Sequence, residues 1–485
     1  MHCPYPNGNQ MKDPIVILGG GPCGLSCAWE LAAQGWDVVV LEREPRPGGL
    51  CATNTFGEYR FDLGGHRFLS QNQELTSRIL DLMGADMLVS ERKSVVMHSG
   101  KRFAYPLSAP DLVENLGLGL NLKALLGYAG ELIRRRISPR DESHFEGWVT
   151  ARFGRPLYDR FFGPYTEKLW GIPPTQISSD WAAQRISLLN LGDAALRLIG
   201  LRRSPIRTYA RRYYYPRLGM GQLFDRMASR MCREGGIIHL GADVTGLDVV
   251  GNRVKAVRYH VDGQEYLLPC SWVFSTISLP ALARYIAPQS TNGVETAIGN
   301  LRSRALRFLN IPLDIPDFSE NTWMYIAEPQ YKMSRIQEPK RRSSEMVPQG
   351  KTSIMLEIPC SVGDKIWEAD GNTLFQEMSL ELRSLGYNID SVALDHHSVW
   401  VEHGYPIYHL GYQHDRDTLL AEVAKMENVL TGGRQGIFRY IFLDTAMEMG
   451  IEAAHQIMQG SRNLKHIQSI RTEKALLEID ALTAT

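Results

Sequence analysis

Residues 15–42 read IVILGGGPCGLSCAWELAAQGWDVVVLE, and this stretch decides the fold. The apolar run 15–18 is typical of a parallel strand that is buried on both faces. Glycines at positions 19, 21 and 24 follow directly, and a helical pattern rich in Ala and Leu then ends at Gly35. A second apolar run ends at Glu42. The order of strand, glycine turn, helix and strand predicts a βαβ unit.

The spacing within this unit indicates a dinucleotide site. Glycines allow the backbone to approach a pyrophosphate closely, and a helix N-terminus offers free N–H groups and a positive dipole end. Glu42 lies 18 residues after Gly24 and can accept hydrogen bonds from ribose hydroxyls. A carboxylate at this position argues against a cofactor that carries a 2′-phosphate. The motif alone leaves NAD and FAD both open.

Several further segments resemble flavoproteins. Residues 43–50 (REPRPGGL), 61–68 (FDLGGHRF) and 215–221 (YPRLGMG) resemble segments of the two-domain flavoproteins related to amine oxidases and protoporphyrinogen oxidase. Residues 165–171 (YTEKLWG) and 432–440 (GGRQGIFRY) resemble UDP-galactopyranose mutases. The resemblance implies FAD as the cofactor. It also implies an α/β fold, with a doubly wound parallel-sheet FAD-binding domain of Rossmann type and a discontinuous, mixed α+β substrate domain.

The same resemblance implies which residues contact the cofactor and the substrate. The expected cofactor-binding residues are Gly19, Gly21, Gly24, Glu42, Arg43, Gly48, Gly49, Gly65, His66, Val244, Gly433, Arg434 and Phe438. The expected substrate residues are Trp170, Arg185, Arg304, Arg307, Tyr405, Tyr408 and Tyr440. His66 is the candidate catalytic residue, because the family places its segment beside the flavin ring, although flavin N5 carries the chemistry. No metal is expected, since the histidines between positions 396 and 414 fit no zinc spacing.

The flavin-type segments also divide the chain. We expect an FAD-binding domain and a substrate domain that is split into two inserts. The FAD-binding domain is predicted to comprise residues 12–80, 205–285 and 395–485, and the substrate domain residues 81–204 and 286–394. The first insert has a mostly helical period, whereas the second mixes strand-like runs with a polar helix. Within the second insert, residues 335–350 (RIQEPKRRSSEMVPQG) predict an exposed loop.

Composition limits the kinds of partner and location. The 485-residue chain carries 53 Lys and Arg against 53 Asp and Glu, so its formal net charge is zero and nucleic acid is not an expected partner. Seven cysteines without a Cys-x-x-Cys pair indicate reduced thiols, and we expect a cytoplasmic protein. The sequence contains no apolar run of about 18 residues or more, so no transmembrane helix is predicted. The basic cluster at 134–136 leaves peripheral membrane contact open, and the oligomeric state is not predicted.

The reaction has a leading interpretation and an alternative. We expect an FAD-dependent oxidoreductase that dehydrogenates a small organic substrate, anionic or similar to a nucleotide sugar, by hydride transfer to flavin N5. The alternative is a redox-neutral mutase or isomerase of the UDP-galactopyranose mutase type that uses reduced FAD. Leu189 stands where those mutases carry a second arginine, and one lost charged hydrogen bond costs roughly 1.5–3 kcal/mol. A partner-binding protein that holds FAD only as a structural element also stays open.

Overall fold

The computed structural model describes residues 13–105, 140–185, 212–287 and 291–471, together with parts of 126–137, and two large sheets organise them. The first is a five-stranded sheet in which all strands run parallel. Its strands, in spatial order, are Val429–Thr431, Trp272–Ser275, Ile15–Leu18, Val38–Glu42 and Ile237–Leu240. The predicted βαβ unit thus lies at the centre of this parallel sheet.

Helices cover the parallel sheet and explain why its strands are mostly apolar. Pro22–Ala33 connects the two central strands and packs against both Gly221–Arg233 and Leu443–Met458. Every residue of Ile15–Leu18 and of Val38–Glu42 is buried, which is typical of parallel strands covered on both faces. Within the described residues, the other helices of at least six residues are Gln73–Met83, Phe145–Phe153, Gly163–Trp170, Ser179–Arg185, Leu279–Ile286, Asn292–Asn300, Gly371–Ser384, Tyr412–Lys425 and Leu464–Ser469.

The second sheet has seven strands and is mixed. Its strands, in spatial order, are His397–Pro406, Ser303–Leu313, Thr352–Cys360, Arg335–Gln337, Trp323–Ile326, Ser94–His98 and Lys101–Ala104. Ser303–Leu313 is the long central strand and runs antiparallel to both of its neighbours. His397–Pro406 belongs to this mixed sheet, although its residues fall within the predicted FAD-binding range 395–485. The division into domains stays a prediction.

Three smaller sheets complete the strands. Asp243–Val250, Arg253–Val261 and Gln264–Pro269 form an antiparallel sheet, and two pairs are formed by Thr53–Phe56 with Tyr59–Asp62 and by Met87–Glu91 with Arg212–Pro216. The first insert was expected to be mostly helical, yet its residues 87–104 contain three strands. Two of these strands, Met87–Glu91 and Ser94–His98, are stabilised by pairing with distant segments, which a local helical period does not report.

The expectation for residues 335–350 was wrong. Arg335–Gln337 is a strand of the mixed sheet, and short 3-10 turns follow at Pro339–Arg341 and Ser344–Met346. Half of these residues are buried, including Arg342 at 3% exposure. Polar and charged side chains made the segment look exposed, but several of them have partners in other parts of the chain, such as Glu357 for Arg335 and the Arg217 carbonyl for Ser343.

The observed architecture confirms the predicted fold class, an α/β fold with a doubly wound parallel sheet and a mixed second layer. Within the described ranges, no helix is long and apolar enough to cross a membrane. The same residues contain no group of three or more His, Cys, Asp or Glu side chains that could hold a metal ion.

Candidate active site

A cavity of about 450 Å³ opens at the carboxyl ends of the parallel strands. Its wall includes Gly19 and Gly21 of the glycine turn, Glu42 at the end of the second strand, and Thr276 directly after Trp272–Ser275. Doubly wound folds bind ligands at this edge of the sheet, and small-molecule sites typically have volumes of about 300–1,000 Å³. The cavity is therefore the candidate functional site.

The glycine turn shapes one wall of the cavity. Gly19 has a φ of +99°, in the region that favours glycine. A Cβ atom at Gly24 would lie 2.0 Å from the Gly19 carbonyl oxygen, so only glycine lets the helix start this close to the strand. A Cβ atom at Gly21 would have the Gly49 Cα atom, at 3.9 Å, as its nearest neighbour from another part of the chain. The turn thus leaves the space that a pyrophosphate needs against the helix N-terminus.

The carboxylate of Glu42 is anchored to the same turn. It accepts hydrogen bonds from the Gly20 N–H at 2.6 Å and from the Glu44 N–H at 2.8 Å. Burial raises the pKa of Glu42, and the two N–H groups oppose this shift because they favour the charged form. Glu42 lines the cavity, so its position agrees with the expected contact to a ribose.

His66 lines the cavity, but both of its ring nitrogens contact neighbouring protein atoms. One ring nitrogen, Nε2, lies 3.0 Å from the Leu63 carbonyl oxygen, and Nδ1 lies 3.6 Å from the Cys51 sulfur. Burial, together with the positive charge of Arg434, lowers the pKa of His66 to about 3. A neutral ring that donates through Nε2 to the carbonyl can accept a hydrogen bond from the Cys51 thiol. These contacts favour a positioning role over proton transfer.

Arg434 also lines the cavity and connects it to a cluster of aromatic side chains. Its guanidinium donates to the carbonyl oxygens of Gly404 at 3.3 Å and Ile441 at 2.9 Å. The same group lies 4.6 Å from the ring centre of Tyr440 and 6.0 Å from that of Tyr405. Arg434 forms no ion pair with a described carboxylate, so its charge remains available to an anionic ligand.

The aromatic cluster consists of Trp170, Trp181, Tyr405 and Tyr440, all packed edge-on or tilted. Trp170 contacts Trp181 with ring centres 4.5 Å apart, and Trp181 contacts Tyr440 at 5.4 Å. Tyr405 lies 5.9 Å from Tyr440. Three of the four were expected as substrate residues, whereas Trp181 carried no motif that marked it. None of the four lines the cavity itself, which they reach through Arg434.

Tyr408 is a buried residue that packs behind the aromatic cluster. Its ring stacks on Tyr412 at 4.2 Å, and its hydroxyl accepts the Tyr440 N–H at 2.7 Å. The side chain is 1% exposed. Tyr408 therefore supports the aromatic cluster from behind, and its contacts argue against the expected contact with substrate. Arg185 ends the helix Ser179–Arg185, and its side chain lies outside the described part of the structure.

Two arginines that were expected to bind substrate are used elsewhere. Arg304 donates to the Ser361 hydroxyl at 2.7 Å and to the Leu169 carbonyl at 3.1 Å, near the end of the helix Gly163–Trp170. Arg307 is fully buried and donates to the carbonyl oxygens of Ile366 and Ala369. Neither lines the cavity. Their position away from the cavity argues against substrate roles, and most of their donors are used within the protein.

Nine of the thirteen expected cofactor residues line the cavity, and four do not. The nine are Gly19, Gly21, Glu42, Arg43, Gly49, His66, Val244, Gly433 and Arg434, and the four are Gly24, Gly48, Gly65 and Phe438. Gly48 supports the turn by donating its N–H to the Gly20 carbonyl at 2.8 Å. Phe438 is 2% exposed and packs on Tyr412 with ring centres 6.3 Å apart, so it is a packing residue. The open turn, the anchored carboxylate and the cavity-facing arginine together fit an FAD molecule.

Other residues of the site carried no recognised sequence signal. Tyr285 lines the cavity and donates its hydroxyl to the Val244 carbonyl at 2.9 Å. Glu357 is buried, forms an ion pair with Arg335 and accepts the Tyr405 hydroxyl at 3.2 Å. Both belong to elements that meet the site only after folding, so spacing along the chain could not find them.

Comparisons with known proteins agree with this geometry. The family model described as flavin containing amine oxidoreductase matches residues 22–458. A crystal structure of reduced UDP-galactopyranose mutase has a TM-score of 0.78 at 20% identity, with 96% of this chain and 100% of that chain covered. The structure of a putative protoporphyrinogen oxidase from Exiguobacterium sp. 255-15 has a TM-score of 0.68 at 17% identity, with 93% and 100% covered.

A match to a curated sequence is shorter. The mitochondrial protoporphyrinogen oxidase of Nicotiana tabacum is 24% identical over 175 residues, which cover 34% of this chain and 34% of that protein. The curated relatives that this chain matches first are covered over less than two thirds of their own length. The family model, in contrast, spans nine tenths of the chain. The chain therefore belongs to the flavin-containing amine oxidoreductase family, and it is an enzyme with FAD as its cofactor.

Proposed function

We propose that this flavoenzyme is an oxidoreductase that dehydrogenates a small organic substrate carrying an anionic group. The observation that carries the proposal is Arg434, a cavity-lining cation without a described carboxylate partner, beside the rings of Tyr440 and Tyr405. An arginine beside aromatic faces suits a ligand that combines an oxyanion with an apolar or planar body. FAD, when bound, supplies the acceptor for the hydride.

The residues of this chain would bind and orient the cofactor and the substrate, and they would exclude water from the site. Glu42 and the glycine turn face the space for the ribose and the pyrophosphate. His66 is neutral near pH 7, since its pKa is lowered to about 3, and it holds the segment between Cys51 and Leu63 in place. Trp170 and Trp181 are both buried and shield the aromatic cluster from solvent.

A redox-neutral mutase that uses reduced FAD is the second candidate. The cluster of Trp170, Trp181, Tyr405 and Tyr440 would suit the rings of a nucleotide sugar, and the fold is similar to that of a UDP-galactopyranose mutase. Against this candidate, Arg304 and Arg307, which were expected to contact the substrate, do not line the cavity and donate to backbone carbonyls. The oxidoreductase is therefore the stronger proposal.

Anaerobic mixing of the FAD-loaded enzyme with candidate substrates tests the two reactions. An oxidoreductase should lose its oxidised-flavin absorbance on addition of a substrate from a panel of small organic acids and amino acids. A mutase should instead convert UDP-galactopyranose only after reduction with dithionite, and it should consume no further reductant. Conversion of the nucleotide sugar, with no flavin reduction by any member of the panel, would overturn the oxidoreductase proposal.

A further inference from the structure

Three arginines surround one buried tryptophan near the cavity. Trp323 is 1% exposed and lies in the strand Trp323–Ile326 of the mixed sheet. The guanidinium carbons of Arg67, Arg92 and Arg342 lie 5.8, 5.5 and 5.8 Å from its ring centre. Because an indole has only two faces, at least two of these cations lie on the same side of the ring. Such a concentration of positive charge is unfavourable unless an anion accompanies it.

A second side chain locates the same three cations independently. Tyr213 is fully buried, and burial raises its pKa. The charges of Arg342, Arg67 and Arg92 oppose this rise. All three guanidinium groups are therefore near the Tyr213 hydroxyl as well as the Trp323 ring. The arginines, which come from three distant parts of the sequence, define one positively charged site.

Arg342 is the most informative member of this site. It is 3% exposed, and Nη2 donates to the side-chain oxygen of Gln337. Its Nε and Nη1 atoms have no hydrogen-bond partner among the described residues. A buried, charged N–H group without a partner is unfavourable, because no hydrogen bond offsets the loss of its contacts with water. Arg342 therefore offers donors that the protein itself leaves unused.

The nearby carboxylates do not take up these donors. Asp62 is close enough for Arg342 to lower its pKa, although burial raises it. The oxygens of Asp62 accept hydrogen bonds from Thr53, Tyr215 and the Met220 N–H. Glu357 is paired with Arg335. Neither carboxylate is a hydrogen-bond acceptor for Arg342 in the described contacts.

The site adjoins the wall of the FAD cavity. The side-chain oxygen of Gln337, which accepts from Arg342, would lie 3.5 Å from a Cβ atom at Gly65. The next residue, His66, lines the cavity, and the charge of Arg342 contributes to lowering its pKa. A ligand group held by Arg342 would thus sit behind the glycine-histidine segment, on the side of the mixed sheet.

We propose that Arg342, assisted by Arg67 and Arg92, binds an oxyanion, either a carboxylate or a phosphate group, of the substrate. An arginine fork with unused donors matches the two oxygens of such a group, and the neighbouring cations add attraction. The proposal deepens the proposed function and rests on it for the catalytic role of the ligand. Binding of the anion can be measured without any turnover.

Isothermal titration calorimetry of the FAD-loaded full chain tests the site. Inorganic phosphate and acetate serve as the two probes, because they separate a phosphate ligand from a carboxylate ligand. The wild-type protein should bind at least one of them saturably. Arg342→Gln should weaken that binding about tenfold or more, through the loss of charged hydrogen bonds. Arg383→Gln, which removes a half-exposed arginine paired with Asp390 on the surface, should bind as the wild type does.

A further variant keeps the test decisive if Arg342→Gln does not fold. Arg92→Gln changes a partly exposed member of the site and should weaken binding by several-fold. Absence of saturable binding to both probes would overturn the proposal, as would equal binding by Arg92→Gln and Arg383→Gln. Anion binding that depends on these arginines, in an enzyme that no substrate reduces, would instead support the site while the oxidoreductase proposal failed.

Discussion

Replacement of Gly24 by alanine should weaken FAD binding without unfolding the chain. The new Cβ atom would lie 2.0 Å from the Gly19 carbonyl oxygen and 3.2 Å from the Ile17 Cγ2 atom. Because real Cβ contacts essentially never fall below 3.0 Å, the helix Pro22–Ala33 must move away from the turn by about 1 Å. This movement displaces the helix N-terminus from the position at which it faces the pyrophosphate.

The size of the effect follows from the cost of overpacking. An extra methyl group in a well-packed region costs roughly 1–3 kcal/mol. If this cost falls on the FAD-bound state, the Kd for FAD rises about 5- to 150-fold. Apoprotein titrated with FAD, with flavin fluorescence as the signal, measures the change directly. Gly299→Ala is the matched control, because its Cβ would meet nothing within 4 Å in the helix Asn292–Asn300.

The control should bind FAD as the wild type does and gain up to about 1 kcal/mol of stability, since alanine favours a helix over glycine. Circular dichroism establishes that both variants are folded. A Gly24→Ala protein that is folded and keeps the wild-type Kd would refute the reasoning, because it would show that the turn can move without affecting the cofactor.

Three further predictions test individual side chains. Since the pKa of His66 is lowered to about 3 in the folded protein, the unfolded chain binds a proton there that the folded chain does not, and the free energy of unfolding should fall as the pH drops from about 6.5. Urea titrations at a series of pH values should show that the free energy of unfolding of His66→Gln depends less on pH than that of the wild type. An equal pH dependence would contradict the lowered pKa. Arg307→Leu should lower the free energy of unfolding in urea by about 3 kcal/mol, because buried carbonyl oxygens lose their donor, while its Kd for FAD should not change. A higher Kd for FAD would show that Arg307 contributes to the cofactor site after all. Tyr405→Phe removes the hydrogen bond to Glu357 and should cost about 1 kcal/mol in thermal unfolding, and an unchanged Tm would show that this bond contributes nothing.

The sequence by itself determined the centre of the fold and the cofactor side of the site. The strand Ile15–Leu18, the helix Pro22–Ala33 and the end of the second strand at Glu42 form where the local pattern predicts them. They were predictable because a glycine turn and an adjacent helix are consecutive in the chain, and their geometry depends on local backbone requirements. Arg434 was likewise marked by its glycine-rich surroundings and lines the cavity.

The tertiary structure decided how the remaining polar residues are used. Arg304 and Arg307 look like ligand residues in the sequence, yet both lie outside the cavity and donate to carbonyl oxygens of distant segments. The segment 335–350 looks like an exposed loop, yet it supplies a strand and the buried Arg342. Burial and partnership depend on segments that meet only after folding, so neither composition nor spacing could separate a structural arginine from one that is free to bind an anion.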